Sequence, residues 1–454
     1  MIPETTSISL SEWETLGPDT CSELASRYLD VSAMTRRVVE RITDSNLLGL
    51  TELRQGLQIK AYSHVGRIRI GDLSVTILPK IKGTSLLSLV RYAYGFRRLN
   101  LISDSTHLVD QCGFEDLLNS QLNAEVQELI SRGLMRAYIP TSERLSSPRG
   151  RIDLTRMALD GGTATATLPC LHHPRIEDTL LNRVLMAGLR LAATMASVVD
   201  LRRESRRLAS LMDEQVSSTR LDGIVLDRAA RQMNRLTTAY SPALSIIRLL
   251  VEAQGVVLEG QTNTTTLPGF LFDMNAFFQA LVSRFLRDNL PGYSVSDEHG
   301  LKGMMRYNPK FNPQRRQSPT PRPDYVVTQQ GAIHSILDAK YRDLWEKQLP
   351  REMLYQLVVY AISHRTKPQS SILYPTTDAK AKEARIDVTD PIFGKFLGQV
   401  CLRPVYLPTI VDLVSTATSQ SRRDREAYAK RLAFGEAAAS VLSSATSDSF
   451  KPSS

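Results

Sequence analysis

The sequence predicts a mixed chain in three parts: an α+β N-terminal module, a mostly helical middle region and an α/β C-terminal domain. Three observations lead there. Alternating apolar runs at Gly56–Tyr62 and Ile68–Pro79 read as strands. Helical periodicity dominates from Asp178 to Ala253. Beyond it, an apolar helical stripe at Phe270–Arg287 precedes two short β-favouring runs joined at Gln329-Gln330-Gly331. The expected boundaries are 1–135, 136–260 and 261–412, followed by an exposed helix and a disordered tail over 413–454.

In the first part, Ser22–Arg41 has apolar positions near helical spacing, at Leu24, Tyr28, Leu29, Val31, Met34, Val38 and Val39. Gly71-Asp72 turns the Ile68–Pro79 run into a hairpin, with Ile68, Ile70, Leu73, Val75 and Ile77 facing inward. Helices are expected at about Leu86–Phe96 and Phe114–Ser131. In the middle region, Ser147-Pro148-Arg149-Gly150-Arg151-Ile152-Asp153 is a basic loop entering a short strand, and Asp178 is placed to cap a long helix reaching Val199. His172-His173 diverge as neighbours do and do not suggest a metal site. The basic run Arg202–Arg207 reads as a solvated helix face, with DNA-backbone contact as its alternative. Further helices are expected near Asp227–Thr238 and Pro242–Ala253. Gly260–Pro268 is a polar loop leading into the last part. There, a helix at Arg351–Ser363 and strands at Ser370–Tyr374 and Gln399–Leu407 complete the pattern.

The chemistry lies in the hairpin Pro323–Lys340. Symmetric pairing about Gly331 places Asp324 opposite Asp338, on one face. Lys340, two residues past Asp338, joins them on that face. Two carboxylates held that close need a proton or a cation between them. Hard oxygen ligands suit Mg2+, and the neighbouring ammonium can hold a water and offset charge growing on a phosphate. Asp, then Asp-x-Lys on the next strand, is thus a phosphodiester-cutting constellation; the alternative is a hairpin with surface charges. A Pro-rich basic loop leads into it, and Lys310, Arg315, Arg316 and Arg322 are its candidate DNA contacts.

Composition bounds the partners. Lys plus Arg is 56 against 47 Asp plus Glu, a net charge of +9, compatible with a polyanion. Cys21, Cys112, Cys170 and Cys401 are scattered, with no Cys-x-x-Cys, which suggests neither a zinc site nor a disulfide framework and fits a reducing cytoplasm. The N-terminal segment has no export signal, and no apolar run is long enough to span a membrane. No Gly-x-x-x-x-Gly-Lys-Ser/Thr loop is present, so any NTP-driven step belongs to another chain.

Pro323-Asp324 with Asp338-Ala339-Lys340 resembles the PD-(D/E)xK nuclease superfamily, and Gln356-x-x-x-Tyr360 resembles an accessory motif of one of its branches. From about Gly56 to Leu407 the chain is similar to the McrC family, the nuclease subunits of McrBC-type 5-methylcytosine restriction systems. The resemblance includes Val65-Gly66-Arg67-Ile68-Arg69-Ile70-Gly71-Asp72, Ile77-Leu78-Pro79-Lys80-Ile81, Tyr92-Ala93-Tyr94-Gly95 and Arg149-Gly150-Arg151-Ile152-Asp153. It continues through Leu181-Asn182-Arg183-Val184-Leu185, Phe272-Asp273-Met274-Asn275 and Asp338-Ala339-Lys340-Tyr341.

The resemblance implies a restriction-endonuclease-like C-terminal domain. Asp324, Asp338 and the Ala339 carbonyl would hold Mg2+, Lys340 would position the nucleophile, and Gln356 and Tyr360 would support the site or touch the DNA backbone. It also implies an AAA+ NTPase ring as partner, GTP-using in the best-known cases, docked by the N-terminal module, with double-stranded DNA as substrate. Gln279 stands where such proteins usually carry Glu, so it is a possible accessory residue that brings hydrogen bonds but no charge. Two other readings stay open: a non-catalytic regulator of an NTPase ring, and a stand-alone DNA repair nuclease.

Overall fold

The structure, a computed structural model, describes residues 6–29, 33–81, 83–96, 114–159, 166–253, 257–259, 264–266, 269–364, 368–415 and 418–436. Cys112, most of the Gly260–Pro268 loop and the expected disordered tail beyond 436 lie outside the described residues. The architecture is mixed α/β with a helical middle region.

The N-terminal region holds a four-stranded sheet in the order Thr6–Ser11, Leu73–Leu78, His64–Ile70, Gly269–Asp273. The first pair is parallel and the others antiparallel. The inward set Ile68, Ile70, Leu73, Val75 and Ile77 is buried as its alternation requires, together with Ile8, Leu10 and Leu271. A second sheet orders Thr15–Leu16, Gly56–Ala61 and Leu48–Leu53. The helical spacing read across Ser22–Arg41 resolves into a 3-10 turn, Ser22–Leu24, and a later helix, Ala33–Asp44.

Helices Phe114–Arg132, Leu180–Met195, Val199–Asp213, Gly223–Arg231 and Ser241–Glu252, with the short helix Leu154–Leu159, make up most of the middle region. The cap of Leu180–Met195 is Thr179, whose side chain accepts the Asn182 N–H, rather than Asp178. Asp178 is drawn off by Arg183 at 2.6 Å and by the Ser217 hydroxyl. His172 faces Glu143 at 2.6 Å rather than its neighbour. Within the basic run, Arg207 is tied to Glu204, as a solvated helix face would be.

The C-terminal sheet has six strands in the order Ser294–Asp297, Tyr325–Gln329, Ala332–Ala339, Gln369–Thr376, Phe396–Tyr406, Ala384–Thr389. Ala332–Ala339, Gln369–Thr376 and Phe396–Tyr406 run parallel, and the outer strands are antiparallel to their neighbours. The helix Arg351–Ser363 covers one face, packing Leu357 and Tyr360 with Ile336, Ile372 and Val400.

The predicted helix Phe270–Arg287 is two elements. Gly269–Asp273 is a strand paired with His64–Ile70, and the helix runs only from Met274 to Asn289. The Asp273 carboxylate accepts the Asn275 and Ala276 N–H groups and so marks the helix start. Phe270 fits the helical stripe in the sequence, but from the strand both Phe270 and Phe272 pack on Phe114. Gly66 permits this: at φ +130, it has Phe270 O only 2.1 Å from where a Cβ would sit. The strand pairing therefore crosses the expected boundary at residue 260.

One apolar core runs from Val65 through the middle helices and Met274–Asn289 to Phe434. The last helix, Ser419–Phe434, was expected to be exposed. It instead buries Tyr428, Leu432 and Phe434 in that core, and its end accepts hydrogen bonds from Arg403 and Ser335. Its many charged residues obscure that stripe in the sequence.

Candidate functional site

The hairpin that carries the acids pairs Tyr325 with Leu337, Val326 with Ile336 and Val327 with Ser335. Extending that register by one step sets Asp324 opposite Asp338. The turn is two residues, Gln330 and Gly331, both at positive φ (50° and 80°). Such a turn pairs Gln329 with Ala332; a bulge between Val327 and Thr328 then restores the register that brings the acids together.

Asp324, Asp338 and Lys340 converge on one face. Lys340 Nζ lies 3.1 Å from Asp338 Oδ2 and 3.5 Å from Asp324 Oδ2. Asp324 Oδ2 also accepts the Ala339 N–H at 2.8 Å, which fixes it across the strand pair. From the helix Met274–Asn289, Gln279 Nε2 donates to the same oxygen at 3.1 Å and reaches Ala339 O at 3.5 Å. The Tyr325 hydroxyl donates to the Gln279 carbonyl at 2.7 Å, locking that helix turn over the sheet.

The electrostatics follow from depth. The Asp338 side chain is 3 % exposed. Burial, then the Asp324 charge, pushes its pKa up to about 6. Burial opposes the Lys340 charge, but Asp338 and then Asp324 outweigh it, and its pKa is raised. Asp338 Oδ1 is buried without a hydrogen-bond partner. An orphaned carboxylate oxygen beside a second carboxylate and a main-chain carbonyl is a hard-oxygen set that fits Mg2+. Among the described residues no three His, Cys, Asp or Glu side chains gather as a metal cluster, so that set is two carboxylates and Ala339 O.

Gln356 and Tyr360 lie beside this centre rather than in it. Gln356 Nε2 donates to the Tyr360 hydroxyl at 2.7 Å, and that hydroxyl donates to Arg322 O at 3.0 Å. The pair thus anchors the chain two residues before Asp324. Lys310, Arg315, Arg316 and Arg322 are all exposed. Arg315 and Arg316 sit on a turn that Asn312 closes by bonding both the N–H and the carbonyl of Arg316. A cleft of about 640 Å3 opens beside Asp324, between Gln279, Ser283 and Arg287 on one wall and Asp297 and Glu298 on the other. Asp297 is engaged by Ser283 and Arg287. Apart from Gln279, these wall residues carry no signal in the sequence, because only the fold brings the Ser294–Asp297 edge strand beside the helix.

A mixed sheet with paired acids and a lysine on one face, joined to a helical region and an N-terminal sheet, defines a multipart α/β protein. The chain belongs to the family of McrBC 5-methylcytosine restriction system components, whose pattern matches residues 59–375. Among solved structures it is similar to the refined half-complex from the tetradecameric assembly of Thermococcus gammatolerans McrB AAA+ hexamers with bound McrC. There the identity is 19 %, the coverage 93 % of this chain and 98 % of that one, and the TM-score 0.59. At that identity the likeness is one of fold. The cryo-EM structure of the Thermococcus gammatolerans McrBC complex matches at 18 % identity over 63 % of this chain and 88 % of that one, with a TM-score of 0.44. No curated protein matches the chain. Among the described residues no helix is long and apolar enough to cross a membrane.

Proposed function

We propose that the chain is the DNA-cutting subunit of an McrBC-type restriction complex, a Mg2+-dependent endonuclease whose C-terminal sheet is a PD-(D/E)xK nuclease domain. The observation that carries the proposal is Lys340 Nζ held between Asp338 and Asp324, beside an unpartnered Asp338 oxygen. Asp324, Asp338 and Ala339 O would hold the ion, which supplies charge neutralisation at the scissile phosphate and acidifies a water. Lys340 orients the attacking water and offsets charge that grows on the phosphate oxygens. Gln279 holds Asp324 in place with its amide. Gln356 and Tyr360 fix the chain at Arg322 so that Asp324 keeps its register.

The N-terminal module is assigned to docking on an AAA+ NTPase ring, the kind of partner present in the similar structure, with GTP as the candidate nucleotide. Gln279 supports one alternative, a non-catalytic regulator of that ring, because it adds no charge where an acid would strengthen ion binding. Single-turnover cutting of methylated and unmethylated DNA decides between them, using the full chain with its partner, Mg2+ and GTP or ATP. The parent should cut, and Lys340→Ala should cut at least about 10²-fold more slowly while binding DNA as the parent does. A Lys340→Ala protein that cuts at the parental rate would refute the assignment.

A further inference from the structure

Beyond the carboxyl ends of the three parallel strands lies a second, smaller crevice of about 70 Å3. Tyr341 and Arg342 reach it from the end of Ala332–Ala339, Thr376 and Thr377 from Gln369–Thr376, and Leu407 from Phe396–Tyr406. Open α/β sheets bind ligands at this end. The N-terminal region roofs it with Trp13 and Lys80.

Three cations converge here: Lys80, Arg342 and Lys347. Burial, then the charges of Lys80 and Arg342, lowers the pKa of Lys347, against the opposing pull of Glu346 and Asp343. Lys347 Nζ stands 5.4 Å from the centre of the Trp13 ring. Arg342 Nε is buried without a hydrogen-bond partner. Two carboxylates also line it: Asp343, which accepts the Trp345 N–H at 2.9 Å, and Glu346, exposed at the rim. Glu12, beneath the crevice, has its pKa pushed up to about 7 by burial, so much of its negative charge is absent at neutral pH. Three cations against two carboxylates, with an unused guanidinium N–H in a small crevice, leave room for an anion of about the size of a phosphate.

We infer that this crevice binds a phosphate group of a nucleic-acid strand running past the Asp324–Asp338–Lys340 site. The inference rests on the endonuclease reading above. Arg342 lies two residues beyond Lys340, so their Cα atoms are within about 7 Å. A phosphate held by Arg342 would thus neighbour the one at Lys340 and set the strand's direction through the site. Lys80 comes from the N-terminal region, so the strand would bridge that region and the catalytic sheet.

The test is DNA binding by the full chain across salt concentrations, comparing the parent with the Lys80→Gln, Lys347→Gln double variant. The log–log slope should become shallower by about one, the value of one lost phosphate contact. Trp13 emission, read in a Trp345→Phe background, should respond to DNA in the parent and not in the double variant. Lys80→Arg with Lys347→Arg should keep the parental slope. An unchanged slope in the glutamine pair overturns the inference. So does an equal loss in the arginine pair, which would mean packing rather than charge. Lys340→Ala is the separate arm: parental cutting there defeats the catalytic reading, whereas only the slope comparison decides the crevice.

Discussion

Gln279 Nε2 donates to Asp324 Oδ2 from a helix whose preceding strand belongs to the N-terminal sheet. A neutral amide thus stands against one acid and the Ala339 carbonyl, where another carboxylate would need an ion to be tolerated. Gln279→Glu should lose stability in Mg2+-free buffer, by about 1–3 kcal/mol, because Asp324 loses its donor and gains a like charge. The same variant should bind Mg2+ more tightly. Thermal unfolding with and without Mg2+, and calorimetric titration of the ion, check both signs. A variant as stable as the parent without Mg2+ would mean that the amide contact carries nothing.

Strand Gly269–Asp273 makes the N-terminal sheet part of the support for the site. Reading the sequence as separable domains suggests that residues 260–412 fold alone and cut poorly for want of recruitment. The pairing with His64–Ile70 and the shared core argue otherwise. That fragment would expose Phe270, Leu271 and Phe272 and should be unfolded or aggregated rather than folded and idle. In the full chain, Gly66→Ala tests the same joint. Its Cβ would meet Phe270 O at 2.1 Å, so the strands must part. A loss of about 3 kcal/mol or more, with slower cutting, is expected. A well-folded 260–412 fragment with a cooperative melt would sink this account.

The hairpin that carries the acids was legible because its information is local. Val326, Val327, Ile336 and Leu337 define strands, Gly331 defines the turn, and the alternation puts Asp324, Asp338 and Lys340 on one face. Even there, the register survives by way of a bulge that no residue type announces. The Phe270–Phe272 strand was illegible because three apolar residues before a helix satisfy both periods. Only the partner strand, about 200 residues earlier, decides between them. The exposed Ala384–Thr389 edge strand and the buried face of Ser419–Phe434 were hidden by polar composition. The second crevice was hidden for a different reason: Lys80, Arg342 and Lys347 are ordinary surface cations until the fold gathers them.

Arg315 and Arg316 lie on an exposed turn held by Asn312. They should act on binding alone. Replacing both by Ala is expected to make the salt dependence of DNA binding shallower by up to about two, with single-turnover cutting at saturating DNA largely kept. A parental salt slope in the double variant would reduce this turn to a linker.

Glu12 ties the N-terminal strand end to the loop after Lys340, accepting the Lys80 N–H at 3.1 Å and the Tyr341 hydroxyl at 3.3 Å. Its other oxygen, Oε2, is buried and unpartnered, and burial raises its pKa from 4.5 to about 7. The unfolded chain releases this proton near the ordinary value. Between about 4.5 and 7 the folded protein therefore holds a proton that the unfolded one has lost. Stability from this group is greatest below that window, falls as pH rises through it, and is fully lost above about 7, at a cost of roughly 3 kcal/mol. Glu12→Gln keeps an amide in the same volume and cannot ionise. It should match the parent near pH 4.5 and exceed it in stability above pH 7. Urea unfolding of both proteins across that range measures the difference directly. A difference that does not change with pH would show that Glu12 is paired or hydrated in solution, and that this joint does not respond to protons.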